Sequence, residues 1–222
     1  MWKLYQHRKG PLYLHHQKVV HSESLEELES YRCLYENEIS AHWVRPSPMF
    51  FENLEAGPRF KELGRIEVLA PEDERELLLF GYDAWKRDGE NQSDFVDGYQ
   101  SCPNHLRGRR YVLRLPNQGI VAGVNTLRFA RNLGGIASLA THPEHRRQGY
   151  AKMLMMSVMS ILEDYEGVNR LLLFSEIDTS YFERLGFQKL PEAMQIFPRA
   201  VAMIKSATPL DSNEEVFLNK YF

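Results

Sequence analysis

Residues 139–151, Leu-Ala-Thr-His-Pro-Glu-His-Arg-Arg-Gln-Gly-Tyr-Ala, constrain this chain more than any other stretch. An apolar run, Gly135–Ala140, leads into them, and a segment with an apolar stripe, Tyr150–Tyr165, leads out. Between lies Arg146-x-x-Gly149-x-Ala151, a small-residue turn where a helix should begin. The first N–H groups of a helix have no intrahelical partner, and the helix dipole favours negative charge beside them. Strand, turn and helix start therefore predict an anion site. Gly149 lets the backbone come close, Ala151 keeps the first turn open, and Arg146 and Arg147 add positive charge.

A second signature follows. The apolar strand Arg170–Phe174 precedes Tyr181-Phe182-Glu183-Arg184-Leu185-Gly186-Phe187. The two motifs together resemble the Gcn5-related N-acetyltransferase (GNAT) superfamily. Its pyrophosphate loop reads Arg/Gln-x-x-Gly-x-Gly/Ala after a strand ending near a proline, here Thr141-His142-Pro143. Its later motif reads aromatic-Tyr-x-x-x-Gly-Phe. The resemblance covers residues 64–205 and implies an α+β fold, a mixed and mostly antiparallel central sheet flanked by helices. It also implies acetyl-CoA as cosubstrate and a primary amine as acceptor.

The resemblance implies site residues as well. Backbone groups of Arg146, Arg147, Gln148, Gly149, Tyr150 and Ala151 would hold the pyrophosphate. Leu139, Ala140 and Thr141 would pair with the pantetheine arm as an added strand does, and a main-chain N–H near Leu139 would polarise the thioester. The family's usual tyrosine falls at Phe182, which has no proton to give. The general acid is then Tyr181, another tyrosine or water. The strand before the loop carries no carboxylate, so the candidate bases are Glu176, the first choice, Asp178 and His142. Asp178 equally suits a helix cap. An acyl-CoA-binding regulatory module with little turnover is the alternative function.

The rest of the chain reads as follows. Leu4–His7, Leu12–Val20 and Ala41–Pro46 are expected strands, and Ser24-Leu25-Glu26-Glu27 reads as a capping box opening a helix with Leu25, Leu28, Tyr31, Leu34 and Tyr35 on one face. Residues 1–63 resemble a small bacterial domain of unknown function through Gln6–Gly10 with Tyr13, Ser22–Glu26, Tyr31–Tyr35 and Trp43–Phe50. Five of the eight histidines fall here, at spacings that match no metal-ligand set. Partner recognition by this domain is a third functional reading. Asn53–Leu63 marks the expected boundary, and Arg65–Leu69 a strand opening the second domain. A helix is expected from Pro71 through Trp85, then a polar loop whose Asp94, Asp97 and Tyr99 could receive a cationic amine. Arg107, Arg109 and Arg110 precede a three-stranded meander over Tyr111–Ala140. Gly167 is placed to end the long helix. Gln188–Leu190 and Ala200–Lys205 are the last expected strands. The tail, residues 206–222, holds an amphipathic candidate, Asn213–Tyr221, that would dock on the core or on the second subunit of a homodimer.

Composition narrows the functional classes. A net charge of −3 offers no basic excess for nucleic acid. No apolar run approaches the roughly 20 residues that span a bilayer, and no signal peptide is visible. Cys33 and Cys102 lack metal or redox spacing, which suits a cytoplasmic protein.

Overall fold

The computed structural model describes residues 1–206. Asn213–Tyr221 and nearly all of the expected tail lie outside them. The chain divides into two compact units, Met1–Val68 with Val112–Val121, and Leu69–Tyr111 with the remainder from Ala122.

In the first unit, β1 (Trp2–His7) and β2 (Leu12–Val20) form a hairpin that turns at Gly10, whose φ is +108°. β3 (Glu27–Cys33) and β4 (His42–Pro46) extend it antiparallel, and a single turn, α1 (Ser47–Phe50), follows. A two-residue pair, β5 (Asn53–Leu54) with β6 (Gly57–Pro58), leads to β7 (Phe60–Val68). β7 pairs with β1 from Trp2↔Ile66 to His7↔Phe60. It therefore starts five residues before the expected strand and runs through the expected boundary after Leu63.

The helix expected over Leu25–Tyr35 is instead strand β3. Glu29, Tyr31 and Cys33 are buried in strict alternation, the period of a strand face. Ser24 Oγ accepts from Glu26 N at 3.4 Å, a local turn rather than a helix cap, and Leu25 sits at φ +58°. The helical spacing of Leu28, Tyr31 and Tyr35 was outweighed by pairing, because β3 is laddered on both sides. Burying Glu29 requires partners. His15 Nε2 lies 2.6 Å from one carboxylate oxygen, and Ser47 Oγ donates to the other at 2.7 Å.

An aromatic core of Tyr5, Tyr31, Phe50 and Phe60 supports this sheet, with Tyr13 and Trp43 packed against it. Phe50 and Phe60 stack at 4.4 Å and 7°. Tyr35, expected inside, is exposed and shares a hydrogen bond with Tyr13 at 2.8 Å.

In the second unit a 3-10 turn at Pro71–Asp73 runs into α2 (Glu74–Leu79), and α3 (Tyr82–Trp85) follows. The single expected helix is broken at Phe80–Gly81, where N–H groups bond three residues back instead of four. α4 (Gln92–Gln100) replaces the expected loop. Asn91 caps it, its side chain accepting from Ser93 N and Asp94 N, and Phe95 and Val96 bury its inner face against Leu78. α5 (Pro103–Arg107) leads to the expected meander of β8 (Arg109–Leu115), β9 (Gly119–Arg128) and β10 (Leu133–Thr141).

The long helix α6 (Tyr150–Glu166) buries Leu154, Met155, Val158, Ile161 and Leu162, and Gly167 ends it at φ +65°. β11 (Arg170–Ser175), the short α7 (Ser180–Glu183), β12 (Gln188–Lys189) and β13 (Val201–Lys205) complete the unit. The order of these strands is β12-β13-β11-β10-β9-β8. β10 and β11 are parallel, as a crossover through α6 requires, and β9–β10, β11–β13 and β12–β13 are antiparallel, so the sheet is mixed and mostly antiparallel. Among the described residues no helix is long and apolar enough to cross a membrane.

Phe50 is fully buried in the aromatic core. Phe50→Ala is expected to destabilise the first unit by about 3–5 kcal/mol, read as a lowered midpoint in urea unfolding followed by tyrosine fluorescence.

Candidate active site

β10 organises the site through two departures from regular pairing. Its parallel ladder with β11 lasts three pairs, Leu133↔Arg170 to Gly135↔Leu172. Its antiparallel ladder with β9 stops at Ala137↔Asn125 and resumes at Ala140↔Gly123. Ser138, at φ +49°, and Leu139 form the bulge between. A cavity of about 740 Å3 opens where β10 and β11 separate. Ser138 and Leu139 line one side, Phe174 and Glu176 another, and Trp85, Tyr99 and Phe182 contribute rings.

At the end of β10 the chain turns through Pro143–His145 and reaches Arg147, φ +64°, and Gly149, φ +85°. The first backbone bond of α6 runs from Met153 N to Gly149 O, so the N–H groups of Tyr150, Ala151 and Lys152 precede the helical ladder. These groups border a second cavity of about 300 Å3, lined also by Thr141, Arg147, Tyr181 and Arg184. Left-handed residues that turn successive N–H groups inward make an anion cradle, which the helix dipole reinforces.

Arg146 does something the sequence did not reveal. Its guanidinium makes a two-pronged bond to Asp83, at 2.5 and 2.7 Å, and also donates to Phe80 O and Thr141 O. The expectation that this side chain adds charge to the cradle is corrected: it ties the loop to α3 and the end of α2. That bond holds the Asp83 carboxyl below its usual range. The cradle's positive charge comes from Arg147, Lys152 and Arg184. Lys152, three residues past Gly149, was legible as a first-turn cation; Arg184 was not. Gln148 is exposed and donates to Glu144 O at 3.4 Å.

The catalytic candidates separate. Glu176 lines the large cavity, whereas Tyr181 lines the loop cavity. The Tyr181 hydroxyl is buried with no partner among the described residues, and burial pushes it up to about 12, so it keeps its proton. Asp178 accepts from Ser180 N at 3.0 Å and from Ser180 Oγ at 2.9 Å, which holds it below its usual range and engages it in the turn that opens α7. His142 Nδ1 accepts from Glu144 N in the turn, and its ring packs edge-on against Phe80. Asp94 and Asp97, expected to receive an amine, are instead exposed on α4 and line neither cavity, whereas Tyr99 lines the large one. In the arginine cluster, Arg109 pairs with Glu166 and Arg110 with Glu74.

The acetyltransferase (GNAT) family model matches residues 74–187, more than half of the chain and all of both cavity-forming motifs. This chain belongs to the GNAT family. Solved structures share its fold at low identity. PH1933 from Pyrococcus horikoshii OT3 is 17% identical with a TM-score of 0.52, covering 65% of this chain and 100% of that one. The spermidine N-acetyltransferase SpeG chimera from Vibrio cholerae and hSSAT is 13% identical with a TM-score of 0.51, covering 70% and 98%. Ard1 from Thermoplasma volcanium is 16% identical with a TM-score of 0.50, covering 66% and 99%. Residues 3–62 match a protein of unknown function (DUF1653). No curated protein matches the chain.

Arg146→Lys keeps the charge of this GNAT loop but loses the planar fork. Amide hydrogen exchange over residues 142–150 is expected to accelerate at least threefold, with the core of α6 unchanged.

Proposed function

We propose that this protein is an acetyl-CoA-dependent N-acetyltransferase that acylates a primary amine by direct attack. The observation that carries the reading is one continuous stretch: the bulged, splayed end of β10 runs straight into the anion cradle at the start of α6. Cofactor phosphates and reacting thioester are thereby offered adjoining sites on a single rigid element.

In this reading the pyrophosphate accepts bonds from the backbone of Arg147 through Ala151, with Lys152 and Arg184 nearby. The unpartnered Tyr181 hydroxyl is a neutral donor to the same ligand, so its role moves from proton transfer to cofactor grip. The pantetheine arm pairs with the edge left by Leu139, Ala140 and Thr141. A main-chain N–H at the bulge holds the oxyanion that forms on attack. The acceptor amine enters the large cavity beside Glu176, which draws its charge and takes its proton. Nitrogen attacks the carbonyl carbon, the C–S bond breaks, and the thiolate is reprotonated. Tyr99, Trp85 and Phe174 give the acceptor pocket aromatic walls. The N-terminal segment, residues 1–63, is assigned a separate supporting role, and the enzyme a cytoplasmic location.

Gly149→Arg places a long side chain at a left-handed residue inside the cradle. Calorimetry is expected to show acetyl-CoA affinity reduced at least 100-fold; unchanged affinity refutes the loop assignment. Thiol release from acetyl-CoA across a panel of amines tests the reaction itself. Binding without release on any amine would favour a regulatory module instead.

A further inference from the structure

Behind the β10 bulge lies a third, much smaller cavity, about 20 Å3. It is lined by His105, Asn125, Tyr99 and Ser138 among others, and Tyr99 and Ser138 also line the large cavity. His105 and Asn125 are each only 4% exposed. His105 Nδ1 and Asn125 Oδ1 are both buried without a partner among the described residues.

The protonation of His105 follows from its other nitrogen. Nε2 lies 3.3 Å from Glu74 Oε1. The same carboxylate takes Arg110 Nη2 at 2.5 Å and Gln100 Nε2 at 2.7 Å. Burial pushes Glu74 up, but Gln100, Arg110 and His105 together bring it below its usual range, so it is an anion. An anionic acceptor puts the proton on Nε2 and leaves Nδ1 as a lone pair. Both buried acceptors belong to residues that line this one small cavity, and a water, with two hydrogens to donate, suits the pair. A cavity of this size holds one water. Tyr99 stands at the wall, its ring 6.1 Å from His105 and edge-on.

We propose that His105 is the positioning residue that finally receives the acceptor amine's proton, acting through one water shared with Asn125 and through the Tyr99 hydroxyl. The inference rests on the acyl-transfer reading and extends it beyond Glu176. The ammonium gives a proton to Glu176. Glu176 passes it to the Tyr99 oxygen while Tyr99 gives its own hydrogen to the water, and the water gives one to His105 Nδ1. Every member returns to its starting form except His105, now an imidazolium facing Glu74. The free amine then forms the C–N bond, the C–S bond breaks, and the thiolate takes the surplus proton on nitrogen. The His105 proton leaves to solvent.

Other observations agree. Burial, then the Glu176 charge, pushes Tyr99 up to about 12, so it serves as a neutral relay that never rests as phenolate. Burial and then Arg110 hold His105 below the usual imidazole range against the opposing pull of Glu74, and so favour the neutral ring. The groups facing it are Glu74 from α2, Arg110 from β8 and Tyr99 from α4.

The test uses the full chain, acetyl-CoA and whichever amine the panel identifies. Tyr99→Phe and His105→Gln are each expected to lower kcat at least tenfold, with the acetyl-CoA Kd within twofold. Wild-type kcat should fall along an acid limb as His105 protonates, and His105→Gln should lose that limb. A Tyr99→Phe enzyme with kcat within twofold of wild type overturns the relay, as does a limb retained in His105→Gln. If His105→Gln does not fold, Tyr99→Phe decides alone. If the wild type releases no thiol with any amine, the acyl-transfer reading itself falls, and the relay with it.

Discussion

Everything in the candidate site depends on β10 ceasing to pair. After three residues it parts from β11, and two residues later it bulges away from β9. Unpaired backbone inside a sheet is costly unless something else satisfies it. Here the freed edge faces a cavity rather than protein, which suits an extended ligand arm. The rest of the unit holds this opening in shape. α6 fixes the far end through its first turn, and Arg146 fastens the loop to Asp83 and Phe80. Behind the bulge the buried polar groups of His105 and Asn125 share a small cavity with Leu77, Leu78 and Val124.

Local signals were read correctly where one stretch of chain determines its own geometry. Gly149 and Gly167 stand at the two ends of α6 with positive φ, as a small-residue start and a glycine stop require. The meander, β11 and the final strands also followed from hydrophobic pattern and turn residues. Failures came where distant partners decide. The stretch Glu27–Cys33 satisfies helical and alternating spacing alike, and two flanking strands together with His15 and Ser47 settled it.

The same limit governs the site. The backbone cradle was legible because it is local, whereas the Arg146 guanidinium was not, since Asp83 lies 63 residues away. Asp94 and Asp97 read as loop residues in a polar stretch, yet Asn91 starts a helix there and turns both outward. His105 drew no attention in sequence. It becomes conspicuous only when Glu74, 31 residues earlier, is seen to fix its tautomer. Phe182 behaved as its chemistry dictates: it lines the large cavity as an apolar wall, so proton handling there falls to other groups.

The central claim is that one strand edge and the loop beyond it form a single acyl-CoA cleft. Hydrogen–deuterium exchange with and without acetyl-CoA tests it directly. The account predicts protection concentrated in residues 138–152 and at the end of β11, with β1 to β4 unchanged. Protection absent from 138–152, or confined to the first unit, would contradict it.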